Sequence, residues 1–222
     1  MSSPDSFIDE VTEEVRRDRL FAMFRKYGWI GVVLVLGIVG GASWNEWQKA
    51  KAKASAEAFG DGVMDAFDLG GTAERRDALS ALPAVANQAA IKSLLLASDI
   101  TDDKPASLAA LDVLIADSSV PTIYHDLAVL KRVVLAGADM PLADRRTALE
   151  GIAVSGRDFG PLAQEQLAYL LVEEGKSAEA IDLLSTLMQD QATPNGLRQR
   201  AAQMIVALGG TPPEGTPEVD AG

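Results

Sequence analysis

The 222-residue chain holds no cysteine, one histidine, and 32 acidic against 20 basic residues, which excludes disulfides, thiol catalysis and zinc–thiolate sites. Its formal charge of −12 argues against nucleic acid, whose phosphates favour a basic surface. The excess is uneven: the tail to Lys26 nets −1, Glu46–Glu57 nets +1, and the rest from Phe59 nets −12. That acidity suits basic partners, or simply keeps the domain soluble.

From the start of the chain, Ser6 with Asp9 three residues on resembles a capping box opening a helix after Pro4. Phe7, Val11 and Val15, then Leu20, Phe21, Phe24 and Tyr27, recur at helical spacing beside several arginines. Residues 1–26 therefore read as an amphipathic tail. It either lies on an anionic membrane leaflet or remains solvated and only sets topology.

Tyr27–Asn45 is nineteen consecutive residues without a charge. At ~1.5 Å per residue a helix of that length matches the ~30 Å hydrocarbon layer of a bilayer. Trp29 sits near one end and Trp44 and Trp47 at the other, where indole rings prefer the headgroups. The expectation is a transmembrane helix over 27–45 acting as an uncleaved signal anchor. A buried core helix, or a signal peptide cleaved near Gly40-Gly41-Ala42-Ser43, are the alternatives. Five basic residues precede the span (Arg16, Arg17, Arg19, Arg25, Lys26) and three follow it (Lys49, Lys51, Lys53). This bias puts the tail inside and the large C-terminal part outside. Gly37 and Gly41 form a GxxxG pair that permits close helix contact.

Residues 46–69 are rich in Ala, Lys and Glu and lack proline, which predicts a helical stalk ended by Gly70-Gly71. Beyond it, helical patterns alternate with short breaks at Pro83, Pro105, Pro121, Pro141, Gly160-Pro161, Gly175 and Pro194, and no strand-like alternation appears. An all-α domain is expected over 70–208. Ser107–Leu114 matches Ser177–Leu184, and Arg75–Leu82 matches Arg145–Ile152, both at an offset of 70 residues. Interleaved, Ala78, Ala110, Ala148 and Ala180 are spaced by 32, 38 and 32 residues, near the ~34-residue period of a tetratricopeptide unit. Asp126–Leu130 similarly echoes Gln166–Leu170. In the unit Pro161–Pro194, Leu167, Ala168, Gly175, Ala180, Leu184 and Pro194 fall at or near family positions. The aromatic and glycine that usually mark the first helix are missing in most units. Asn195–Leu208 reads as a terminal capping helix, and residues 209–222 as a disordered acidic tail.

No catalytic, cofactor or metal constellation emerges, and the chain is read as non-enzymatic. His125 stands alone among histidines, so a histidine-based metal cluster is excluded. Gly175-Lys176-Ser177 imitates the end of a phosphate-binding loop, but the glycine needed five residues earlier is replaced by Leu170. If the repeats bind protein, the first helix of each unit lines the concave face. Its readable positions are His125, Asp126, Val129 and Arg132, then Glu165, Gln166, Tyr169 and Glu173.

Taken together, Asp5–Trp29 (DSFIDEVTEEVRRDRLFAMFRKYGW), the span, the WNEW exit at Trp44–Trp47 with its Lys/Ala stalk, and Tyr124–Gly137 (YHDLAVLKRVVLAG) followed by repeats resemble a bacterial family. That family comprises single-pass inner-membrane proteins with a periplasmic tetratricopeptide-like domain, ancillary to the Sec translocon. The resemblance covers residues 5–208. It implies an interaction protein that assists exported chains, with the translocon and those chains as partners and no small-molecule substrate. An accessory or assembly subunit of another membrane complex, and an enzyme with a dispersed carboxylate site, are the other classes considered.

Overall fold

The computed structural model describes residues 4–85, 87–98 and 103–213, with side chains described from Arg25 onward except at 28 and 32. Among these the chain is all-helical. Helix α1 (Pro4–Asp68) runs unbroken through the segments read as tail, span and stalk. The side chains of the Ser6 and Asp9 capping box lie outside the described residues.

The chain divides into two compact units, residues 1–58 and 59–222. In the first, one helix is long and apolar enough to cross a membrane, and none of its most apolar stretch is buried against protein. Val33, Leu34, Val35, Leu36, Ile38 and Val39 are all exposed. Large aliphatic side chains along a whole helix are stable in that state only in an apolar surrounding. Each end of the apolar stretch carries aromatic rings with a cation: Lys26 lies 5.4 Å from the Tyr27 ring centre. At the other end Trp44 and Trp47 are 5.2 Å apart, with Lys51 5.6 Å from the Trp47 ring.

The division at residue 58 falls inside the segment expected to be stalk. Residues 59–68 belong to the second unit, where Ala66 is buried and Leu82 closes directly over Gly62. The unit continues with α2 (Thr72–Ala81), α3 (Asn87–Leu96), α4 (Lys104–Ala116), α5 (Thr122–Ala136), a 3-10 turn (Gly137–Asp139), α6 (Leu142–Glu150), α7 (Gly160–Glu173), α8 (Ser177–Gln189) and α9 (Asn195–Ala207).

Local chemistry sets these boundaries. Asp103 caps α4 by accepting the Ala106 N–H at 2.9 Å, and Pro105 occupies the first turn, where its missing N–H has no intrahelical partner to lose. Pro121, Pro141 and Pro194 stand at the N-caps of α5, α6 and α9. Helices α7 and α9 end in matching glycine caps. Gly175 (φ 76) and Gly209 (φ 84) take the left-handed conformation. The N–H of Lys176 bonds Leu171 O at 2.9 Å, and that of Gly210 bonds Ile205 O at 2.9 Å, satisfying carbonyls the helix leaves orphaned. Gly175-Lys176-Ser177 is thus a helix stop. Gly210 is packed on Ile181 and Ile205, so the expected tail begins in contact with the domain. Residues 214–222 of that tail lie outside the described residues.

Each helix from α2 onward packs chiefly on its chain neighbours. The core is correspondingly a relay of three clusters. Ala90 of α3, Ala97 just beyond it, Leu111 and Leu114 of α4 and Ala128 of α5 form the first. Val129 and Val133 of α5, Leu149 of α6, Ile152 just beyond it, and Ala163 and Leu170 of α7 form the second. Ala168 of α7, Leu184, Leu187 and Met188 of α8, and Leu197, Ala201, Ala202 and Ile205 of α9 form the third. Helices α5 and α7 each contribute to two clusters, through opposite faces. Leu79, Leu111 and Leu149, each following one of the spaced alanines, are fully buried; Ala180 is itself buried, and Ile181 after it is half-buried.

Candidate interaction surface

Of the eight residues expected to line a groove, three are buried: Asp126, Val129 and Glu165. Their placement corrects the expected surface. Val129 belongs to the second core cluster. Asp126 and Glu165 are interior carboxylates, each neutralised by an arginine from later in the chain.

Asp126 sits one turn into α5. Both of its oxygens accept from Arg157, in the α6–α7 connection, at 2.9 Å, and His125 Nδ1 lies 3.2 Å from Oδ1. Glu165 on α7 receives Arg200 of α9 through two bonds of 2.9 Å. The Tyr169 hydroxyl donates a third, at 3.0 Å. Burial first, and then the neighbouring Glu165 carboxylate, push the Tyr169 phenol above its ordinary value. The hydrogen bond to Glu165 raises Arg200. A buried carboxylate is tolerable only when charge and lone pairs are both matched, and both sites meet that condition.

Arg132 and Glu173 are accessible but engaged. Arg132 pairs with Asp112 of α4 and points a second nitrogen at Met140 Sδ, 3.3 Å away. Glu173 takes a bidentate pair from Arg145 at 2.7 and 2.8 Å. Arg145 is buried and also donates to the Met140 carbonyl at 3.1 Å. The Arg145 hydrogen bonds to Glu173 itself, ahead of direct charge attraction, hold its carboxyl below the usual carboxylate range. Lys176 and Arg146 do the same for neighbouring Glu174. His125, Gln166 and Tyr169 are half-buried.

Apart from Arg132–Asp112, which spans 20 residues, the long-range side-chain ties recur at a narrow range of sequence separation. Arg145–Glu173 and Arg146–Glu174 span 28 residues, Arg76–Ser107 and Arg157–Asp126 span 31, Lys131–Ser98 spans 33, and Lys104–Asp139 and Arg200–Glu165 span 35. These lie near one helix pair's length of chain, so most of them fasten one pair to the next.

The open side of α5 lies opposite the expected one. At 100° per residue, Ile123, Leu127, Leu130 and Val134 form a stripe about half a turn away from His125, Val129 and Arg132. Ile123 and Val134 are exposed, and a hollow of about 490 Å³ lies beside Val134, lined also by Ala97, Leu130, Lys131 and Leu135. This stripe was not singled out from sequence because α5 is apolar on most sides, which leaves periodicity unable to say which apolar face stays uncovered.

Comparison of the chain with protein-family models, with curated proteins and with solved structures finds no match.

Arg200→Ala strands the buried Glu165 charge. The expected loss is about 2–3 kcal/mol, below the range for fully buried pairs because Arg200 is half exposed. Adding Glu165→Gln should restore part of it, since an amide needs no counter-charge. Urea denaturation of the three proteins reads both effects, and equal stability of wild type and Arg200→Ala would contradict the assignment.

Because its folded pKa is depressed, Glu173 contributes stability that is present above its ordinary value of 4.5 and lost as pH falls through the folded value. Glu173→Gln should therefore lower the thermal midpoint at pH 7, and the gap to wild type should close as pH falls below the ordinary value of 4.5. A gap independent of pH, measured by circular dichroism, would argue against an ionised Glu173–Arg145 pair.

Proposed function

We propose that this chain is a membrane-anchored, non-enzymatic interaction protein. In this reading residues 27–45 span a bacterial inner membrane once, with the tail in the cytoplasm. The helical domain is a periplasmic tetratricopeptide-like stack that serves the Sec translocon as an ancillary subunit, assisting exported chains.

The observation that carries the reading is the relay of core clusters and polar ties from one helix pair to the next, at 28 to 35 residues. A stack stabilised by nearest-neighbour contacts is how repeat domains build extended recognition surfaces. The uncovered apolar stretch of α1, with aromatic residues and lysines at both ends, supports the tether. Residues quoted above as resembling the translocon-associated family supply the specific partner; the fold class alone would admit many.

In-cell crosslinking of the full-length protein, with gentle solubilisation and mass spectrometry, tests this reading. The expected result is co-recovery of the translocon channel and exported chains, retained when residues 27–45 are replaced by an unrelated span of equal length. Recovery of a different membrane complex, lost on span replacement, would instead make the chain an accessory subunit held through its helix.

A further inference from the structure

The last turns of α1 carry a feature that neither the fold nor the expected groove uses. Within the second unit, Phe59, Gly62, Val63 and Ala66 turn inward, Ala66 being fully buried. The opposite face is centred on Met64, which is 64 % exposed, beside Phe67 at 45 %. On a helix the neighbours of Met64 at three and four residues' distance are Gly60, Asp61, Phe67 and Asp68, with Asp65 bordering them. All of these are exposed.

Two physical oddities coincide here. Two carboxylates, Asp65 and Asp68, occupy a last helical turn that has no basic residue, where the macrodipole is negative and favours cations, and Asp61 lies one turn earlier. Asp61, Asp65 and Asp68 also form no ion pair among the described residues, although ion pairs fasten much of the domain. Arg75 lies 5.4 Å from the Phe67 ring centre, over the aromatic face. A partner carrying both cations and apolar side chains would pair with these carboxylates and cover the exposed Met and Phe together. Methionine's flexible thioether suits a surface that accepts varied apolar side chains.

We propose that this face of α1 is a docking site for segments carrying apolar side chains interspersed with lysine or arginine, the apolar groups seated on Met64 and Phe67 and the cations on Asp61, Asp65 and Asp68. The inference rests on the reading of the domain as an interaction module and gives that module a partner chemistry. Charge complementarity selects the occupant.

The test uses full-length protein in phosphatidylcholine nanodiscs, with empty nanodiscs as reference. Two short fluorescent peptides share the same leucines, one with intervening lysines and the other with glutamates, and binding is read by anisotropy. The lysine peptide should bind and the glutamate peptide should not. Combined Asp61→Asn, Asp65→Asn and Asp68→Asn should weaken binding roughly tenfold, as three exposed ion pairs predict, and added salt should act in the same direction. Met64→Ser should weaken it independently. These solvent-facing changes leave the core intact, which circular dichroism checks.

Equal binding of both peptides, no binding of either, or unchanged affinity in the triple variant would overturn the proposal, as would self-association of the chain through Met64 that is insensitive to salt. Loss of lysine-peptide binding in Val134→Ser with retention in Met64→Ser would overturn this site while leaving the interaction reading standing. Failure of that reading shows separately, as an absence of partners in the crosslinking experiment.

Discussion

The second unit depends on helices that are buried on two sides at once. Helices α5 and α7 pass the core from one cluster to the next, and each also carries an interior carboxylate, Asp126 or Glu165, clamped by an arginine that arrives 31 or 35 residues later. Apolar packing alone tolerates small rotations of one helix against the next. A buried carboxylate does not, because turning it away from its arginine leaves an uncompensated charge in a medium that solvates it poorly. The clamps therefore set the angle at which successive helix pairs meet, and with it the shape of any surface the stack presents.

This arrangement decides which residues remain for recognition. Positions read as a binding stripe, His125 with Asp126, Val129 and Arg132, are occupied by internal contacts, and the opposite face of α5 is left open with its aliphatic side chains. Accessible apolar side chains line the open face of α5 and, at the end of α1, stand beside accessible carboxylates. A stack of this kind needs only modest affinity at each place if it is held close to its partners, since tethering raises the effective concentration.

Much of the architecture was legible because it rests on local chemistry. Pro121, Pro141 and Pro194 start helices and Gly175 and Gly209 end them for reasons confined to a few residues. The matching octapeptides at an offset of 70 residues identified α2 with α6 and α4 with α8. Surface assignment was less legible. Asp126 and Glu165 look like any solvated helix carboxylate until the fold brings Arg157 and Arg200 to them, and Arg157 lies in a connection with no periodicity to read. In α1, composition separated tail, span and stalk where the backbone runs continuously, and nothing in the Ala-rich pattern signalled that residues 59–68 pack with the following helices.

The proposed function requires the acidic domain and the N-terminal tail to lie on opposite sides of one membrane. The chain has no native cysteine, so single substitutions report location cleanly. With Ser6→Cys and Ser118→Cys made separately, intact spheroplasts are treated with a membrane-impermeant maleimide before and after lysis. The account predicts labelling of Ser118→Cys in intact spheroplasts and of Ser6→Cys only after lysis. Labelling of Ser6→Cys from outside, or release of Ser118→Cys protein in soluble form with neither site protected, would contradict it.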